Sequence, residues 1–114
     1  MLTAIVVDDD NLNLIVTAEL LKELEFDVFS FRLPKEAIKF SAIKKIDLLV
    51  ADISLPKIKG DKLAMRIKKN QPEVRVLLIS GYGKEDIELN GFEFLQKPFT
   101  LNDFKLKLKL AKNL

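Results

Sequence analysis

The chain contains neither cysteine nor histidine. Without cysteine there is no disulfide, no thiolate nucleophile and no zinc site of the cysteine type. Without histidine, hydrolysis by a Ser-His-Asp triad and imidazole-ligated metals are closed, and the chain cannot itself carry a phosphoryl group on an imidazole. Long apolar stretches are missing as well. Nothing approaches the roughly 20 residues of a membrane-spanning helix, and the N-terminal Met-Leu-Thr-Ala-Ile-Val-Val run enters Asp8 with no basic region before it, so no signal peptide is expected and the expected location is the cytoplasm. An excess of one charge is also lacking: 19 Lys+Arg against 17 Asp+Glu leave a formal +2, which directs the chain to neither nucleic acid nor a membrane.

What is present is a folded, single-domain composition. The 114 residues are 48% hydrophobic and 32% charged, enough for residues 1–114 to bury a core without disulfides or metals. Thr3 to Val7 reads as a buried first strand that ends on Asp8, Asp9 and Asp10. From Asn11 to Leu24 the positions Leu14, Ile15, Ala18 and Leu21, with Leu20 and Leu24, recur at helical spacing behind Asp10 or Asn11 as N-cap. Asp27 to Phe31 is a second strand, and Pro34 opens a short helix with Ala37, Ile38 and Ile43 inward. Leu48 to Ala51 is an apolar run too short for a stable helix, as in a strand buried on both faces, and it ends on Asp52.

After a Pro56 to Gly60 loop, Leu63, Ala64 and Ile67 mark a helix closed by Asn70 and Pro72. Val74 to Ile79 is a fourth strand ending on Ser80, and Phe92 to Leu95 a fifth ending on Lys97-Pro98. Thr100 and Asp103 form a capping-box pattern at the head of a last helix. That helix buries Leu101, Phe104, Leu108 and Ala111, with Leu106 and Leu110 widening the same face. Strands alternating with helices predict an α/β domain with a parallel sheet, right-handed crossovers and helices on both faces.

Asp52 alone reads equally well as an acid in a ligand crevice and as a turn residue or helix N-cap. Its neighbours decide between the two. Parallel strands point their carboxyl ends the same way, so Asp8, Asp9, Asp52, Ser80 and Lys97 converge on one rim, where open α/β sheets bind ligands. Carboxylates crowded there raise one another's pKa unless a cation sits among them. A donor set of oxygens alone points to Mg²⁺ together with a phosphate. With cysteine and histidine absent, the available nucleophile is a carboxylate, and Asp52 attacking phosphorus gives an acyl phosphate.

Four segments in order, Val-Val-Asp-Asp-Asp (6 to 10), Asp-Leu-Leu-Val-Ala-Asp-Ile-Ser-Leu-Pro (47 to 56) followed by Gly60, Leu-Leu-Ile-Ser-Gly (77 to 81) and Phe-Leu-Gln-Lys-Pro-Phe (94 to 99), resemble the CheY-like receiver domain of two-component response regulators. The resemblance covers essentially the whole chain. It implies a doubly wound, flavodoxin-like (βα)5 domain of strand order 2-1-3-4-5. It further implies that Asp52 takes a phosphoryl group from a partner phosphohistidine, on a histidine kinase or a histidine phosphotransfer protein. Asp9 and, largely through water, Asp8 would hold Mg²⁺, with the Ser54 carbonyl as the third protein ligand. Ser80 would turn its hydroxyl to the phosphoryl group, Lys97 would pair with it, and Phe94 would move inward as Ser80 does. Lys97-Pro98 resembles the family's cis peptide.

Such a domain catalyses only its own phosphorylation and dephosphorylation and switches a surface read by a downstream output domain or protein. No output domain follows Leu114 in this sequence, as for a stand-alone receiver or one part of a longer regulator.

One departure from the family stands out. Seventeen positions separate Ser80 from Lys97, which predicts a shortened or irregular helix around Glu85 to Leu89, similar to receivers attached to hybrid sensor kinases. Tyr82, two positions after Ser80, is placed to screen an acyl phosphate from water. Two other classes stay open on the residues: an interaction module with this fold that works without phosphate, and an aspartyl-nucleophile phosphatase. The second wants an Asp two residues after Asp52, where Ser54 stands. A dinucleotide-binding protein would need a phosphate-cradling loop where Asp8-Asp9-Asp10 repels phosphate.

Overall fold

The computed structural model describes residues 1–81, 92–97 and 99–112, the last four of these as backbone. The strands are β1 (Thr3–Val7), β2 (Asp27–Phe31), β3 (Leu48–Asp52), β4 (Arg75–Ser80) and β5 (Glu93–Gln96). All pair in parallel, in the order β2-β1-β3-β4-β5, as the resemblance implies. The described helices are α1 (Asn11–Glu23), α2 (Pro34–Ser41), α3 (Gly60–Asn70) and α4 (Leu101–Lys112).

Strand alternation divides the interior into two apolar layers. Ile5, Val7, Leu49 and Ala51 point to the face covered by α2 and α3, where Ala37, Leu63, Ala64 and Ile67 meet them. Ala4, Val6, Leu48 and Val50 point to the opposite face, against Leu14 and Leu21 of α1 and Phe104 and Leu108 of α4. Every residue of β1 is buried, which is why the central strands read as continuous apolar runs rather than alternating ones.

Polar contacts fix the ends of these elements. The Thr100 amide donates to Asp103 Oδ2 at 3.0 Å and the Asp103 amide to Thr100 Oγ1 at 3.1 Å, a reciprocal capping box. Helix α1 ends in a Schellman turn: the Phe26 amide donates to the Leu21 carbonyl, the Glu25 amide to that of Lys22, and Glu25 takes a left-handed φ of 68°. Gln71 ties the end of α3 to the turn after α2, donating from Nε2 to the carbonyls of Ser41 and Lys44 and accepting from the Ile46 amide.

Several details differ from the sequence pattern. On α1 the inward residues are Leu14, Thr17, Ala18 and Leu21, while Ile15 is half exposed. Apolar residues lie on nearly every side of that helix, so spacing alone does not select a face. Asp10 occupies its N-cap by backbone conformation but makes no side-chain capping bond. Ile43 lies beyond the end of α2 and is 83% exposed. Among the described side chains of α4 Phe104 and Leu108 are buried; Leu101, read as part of that row, is 36% exposed, and Leu106 is 62% exposed and does not widen the buried face. Strands β4 and β5 each begin one residue later than their apolar runs suggest. The segment Glu85 to Leu89, Tyr82, Pro98 of the Lys97-Pro98 bond and the side chains of Leu110 and Ala111 lie outside the described residues.

Candidate functional site

Strand register brings the acidic residues level with one another. Val7 pairs with Ala51 and Ala51 with Leu78, so Asp8 and Asp52, each the next residue along, emerge together at the carboxyl rim. Asp8, Asp9 and Asp52 each offer a carboxylate oxygen, all within 4.8 Å of one another. Asp8 is buried, Asp52 half-buried and Asp9 exposed.

The cluster is not electrostatically relaxed. Burial, opposed by the hydrogen bond from the Asp10 amide and reinforced by the charges of Asp52 and Asp9, raises the Asp8 pKa from 3.8 to about 6, while the Lys97 charge lowers it. The Asp10 amide donates to Asp8 Oδ1 at 3.0 Å. Three converging carboxylates that contain no nitrogen or sulfur donor fit a hard divalent cation.

The other predicted residues flank this cluster. Ser80 is fully buried at the end of β4, and its carbonyl accepts from the Lys97 amide at 2.7 Å. That bond continues the β4–β5 ladder one step beyond its last pair and sets Lys97 on the same rim. Ser54 is exposed, and its amide donates to Asp52 Oδ1 at 3.3 Å, holding one edge of that carboxylate. Phe94 stands apart from the rim: it is half-buried in the middle of β5, packed against the layer under α2 and α3.

Two features are added by the structure. The Gly60 amide donates to the Ile53 carbonyl at 2.9 Å, closing the loop after β3. A Cβ on Gly60 would lie 2.4 Å from the Asp52 carbonyl oxygen and 2.9 Å from the Ile53 Cα, so only glycine lets α3 start this close to Asp52. The second is the Asp10 amide, an Asp8 partner that side-chain motifs do not reveal; a glycine opening a helix was the visible signal for the first.

Residues 4–109 match the family described as response regulator receiver domain. The chain belongs to this family. A receiver domain protein of Clostridium thermocellum superposes on it with a TM-score of 0.87 at 26% identity, over 99% of this chain and 95% of that one. The receiver domain of the hybrid histidine kinase CckA is similar over 96% of this chain and 97% of its own, with a TM-score of 0.82 and 26% identity. The alkaline phosphatase synthesis transcriptional regulatory protein PhoP of Bacillus subtilis is 24% identical over 110 residues, which are 92% of this chain and 46% of PhoP. The receiver spans under half the length of PhoP and of other curated relatives that it matches over most of its own length. Among the described residues no helix is long and apolar enough to cross a membrane.

Proposed function

We propose that residues 1–114 form one phosphoacceptor unit that takes a phosphoryl group from a partner phosphohistidine onto Asp52. The observation that carries this reading is the convergence of Asp8, Asp9 and Asp52 within 4.8 Å, beside Lys97, at the carboxyl rim of a receiver fold. A carboxylate oxygen of Asp52 attacks phosphorus in line; the new O–P bond forms as the N–P bond to the partner imidazole breaks, and the imidazole leaves with the electron pair. Asp8, Asp9, Asp52 and the Ser54 carbonyl would hold Mg²⁺, which neutralises charge on the equatorial phosphoryl oxygens. Lys97 supplies a compact cation to the same oxygens, and Ser80 a hydroxyl donor once it turns outward. That turn would vacate space at the end of β4, toward which Phe94, half-buried on the neighbouring strand, would move. The unit catalyses only its own phosphorylation and dephosphorylation, and a downstream output domain or protein reads the switched surface.

The donor protein docks on α1. Leu12, Ile15 and Val16 are 68%, 51% and 50% exposed on the helix that begins three residues after Asp8. An apolar stripe beside a reactive rim is the pattern of a protein contact rather than of a solvated face. Incubation with acetyl phosphate and Mg²⁺ should add the mass of one phosphoryl group to the protein and none to Asp52→Asn. A gain that survives Asp52→Asn unchanged contradicts the mechanism, and no gain in either protein favours the phosphate-independent interaction module.

A further inference from the structure

On the face away from α1, helices α2 and α3 and the loop between β3 and α3 enclose an open cleft of about 530 Å³. Its apolar floor is made by Pro34, Ile38 and Ile58, with the more exposed Leu33 also lining the cleft. Its rim is cationic: Lys35 and Lys39 from α2, Lys57 from the loop and Arg66 from α3 line it, all exposed, with no carboxylate among the lining residues. None of these four forms an ion pair among the described residues. The basic surface runs on past the cleft, where Lys62 and Lys69 border a shallow depression beside Met65. In a chain whose formal charge is only +2, this is a strong local asymmetry.

We propose that this cleft docks an acidic amphipathic helix of a partner protein, with the partner's apolar side chains in the cleft and its carboxylates against Lys35, Lys39, Lys57 and Arg66. Charge complementarity selects an anionic partner. The recessed apolar floor selects one with apolar anchors at helical spacing. No aromatic residue lines the cleft to stack a nucleobase. A concave apolar floor also cannot insert into a bilayer, which favours a peptide over a lipid surface. The site is independent of the phosphoryl chemistry, although Lys57 and Ile58 belong to the loop that the Gly60 to Ile53 bond closes next to Asp52.

The test is fluorescence anisotropy of the full chain with a labelled Glu/Leu peptide carrying Leu on one helical face. A peptide of the same composition with Leu spread around the helix, a duplex oligonucleotide and phosphatidylglycerol vesicles serve as competitors. The facially amphipathic peptide should bind and weaken as salt is raised. Arg66→Glu should weaken it about tenfold, whereas Lys105→Glu, on the exposed side of α4, should leave it unchanged. Circular dichroism verifies that both exposed-site variants fold. The proposal is overturned by absence of binding, by equal losses in the two variants, by equal affinity for the scrambled peptide, or by oligonucleotide or vesicles outcompeting the peptide.

Discussion

A carboxylate that must be charged to hold a cation, and is buried among other carboxylates, makes the folded protein weaker when no cation is there. Asp8, proposed above to help hold Mg²⁺, is that residue. Its pKa of about 6 in the folded chain, against 3.8 ordinarily, means that the folded state holds a proton the unfolded chain has already released. The group therefore costs nothing below about pH 4; stability falls as pH rises through about 6 and stays reduced above it. The loss is on the order of 3 kcal/mol. In chelator, urea unfolding of the wild-type protein should lose stability from acid to neutral pH relative to Asp8→Asn, which lacks the titrating group. With Mg²⁺ the order should reverse, because the wild type offers the cation one more carboxylate than Asp8→Asn does. Parallel pH profiles of the two proteins would remove the electrostatic account of Asp8.

At the scale of elements, α1 shows both what the sequence makes legible and what it hides. Its start is marked by the turn chemistry after β1, and Thr100 with Asp103 marks the start of α4 through bonds now seen in both directions. The strands read correctly because β1, β3 and β4 are buried on both faces, which leaves an unbroken apolar run in the sequence. Of the α1 positions read as inward, Leu14, Ala18 and Leu21 are buried and Leu20 and Leu24 pack against the core, but Ile15 is half exposed: Leu12, Ile15 and Val16 are as apolar as Leu14 and Leu21, and tertiary packing decides which row turns inward. The same holds for Leu106 on α4, whose alternating Lys-Leu pattern fits a strand and a helix alike.

The convergence of Asp8, Asp9 and Asp52 was readable because parallel topology sends strand ends to one rim. The approach of Gly60 to the Asp52 carbonyl was not, since it depends on where α3 begins in space. The exposed apolar row of α1 that includes Ile15 carries a consequence of its own. Ile15→Asp should reduce phosphotransfer from a histidine-phosphorylated donor protein by about tenfold, as expected for a charge at an apolar contact. Phosphorylation from acetyl phosphate, which needs no docking, should proceed as before. An equal slowing with both donors would place Ile15 in the fold rather than in the contact.

On the scale of the whole molecule, one parallel sheet separates two surfaces. The acidic rim and the apolar stripe of α1 lie at adjoining positions, since α1 begins just after the Asp8 to Asp10 segment. The basic cleft between α2 and α3 lies on the opposite layer, joined to the rim through the loop from Asp52 to Gly60. A receiver arranged in this way can take its phosphoryl group on one face while a partner occupies the other. The identity of the acceptor is central, because the proposed roles of Asp8, Asp9, Ser54, Ser80, Lys97 and Phe94 all serve it. The most direct test is borohydride reduction of the protein after incubation with acetyl phosphate and Mg²⁺, since the reagent converts an aspartyl phosphate to homoserine. Peptide mass spectrometry should find homoserine at position 52 and aspartate unchanged at positions 8 and 9; homoserine at 8 or 9, or phosphorylated protein with aspartate intact at 52, would contradict it.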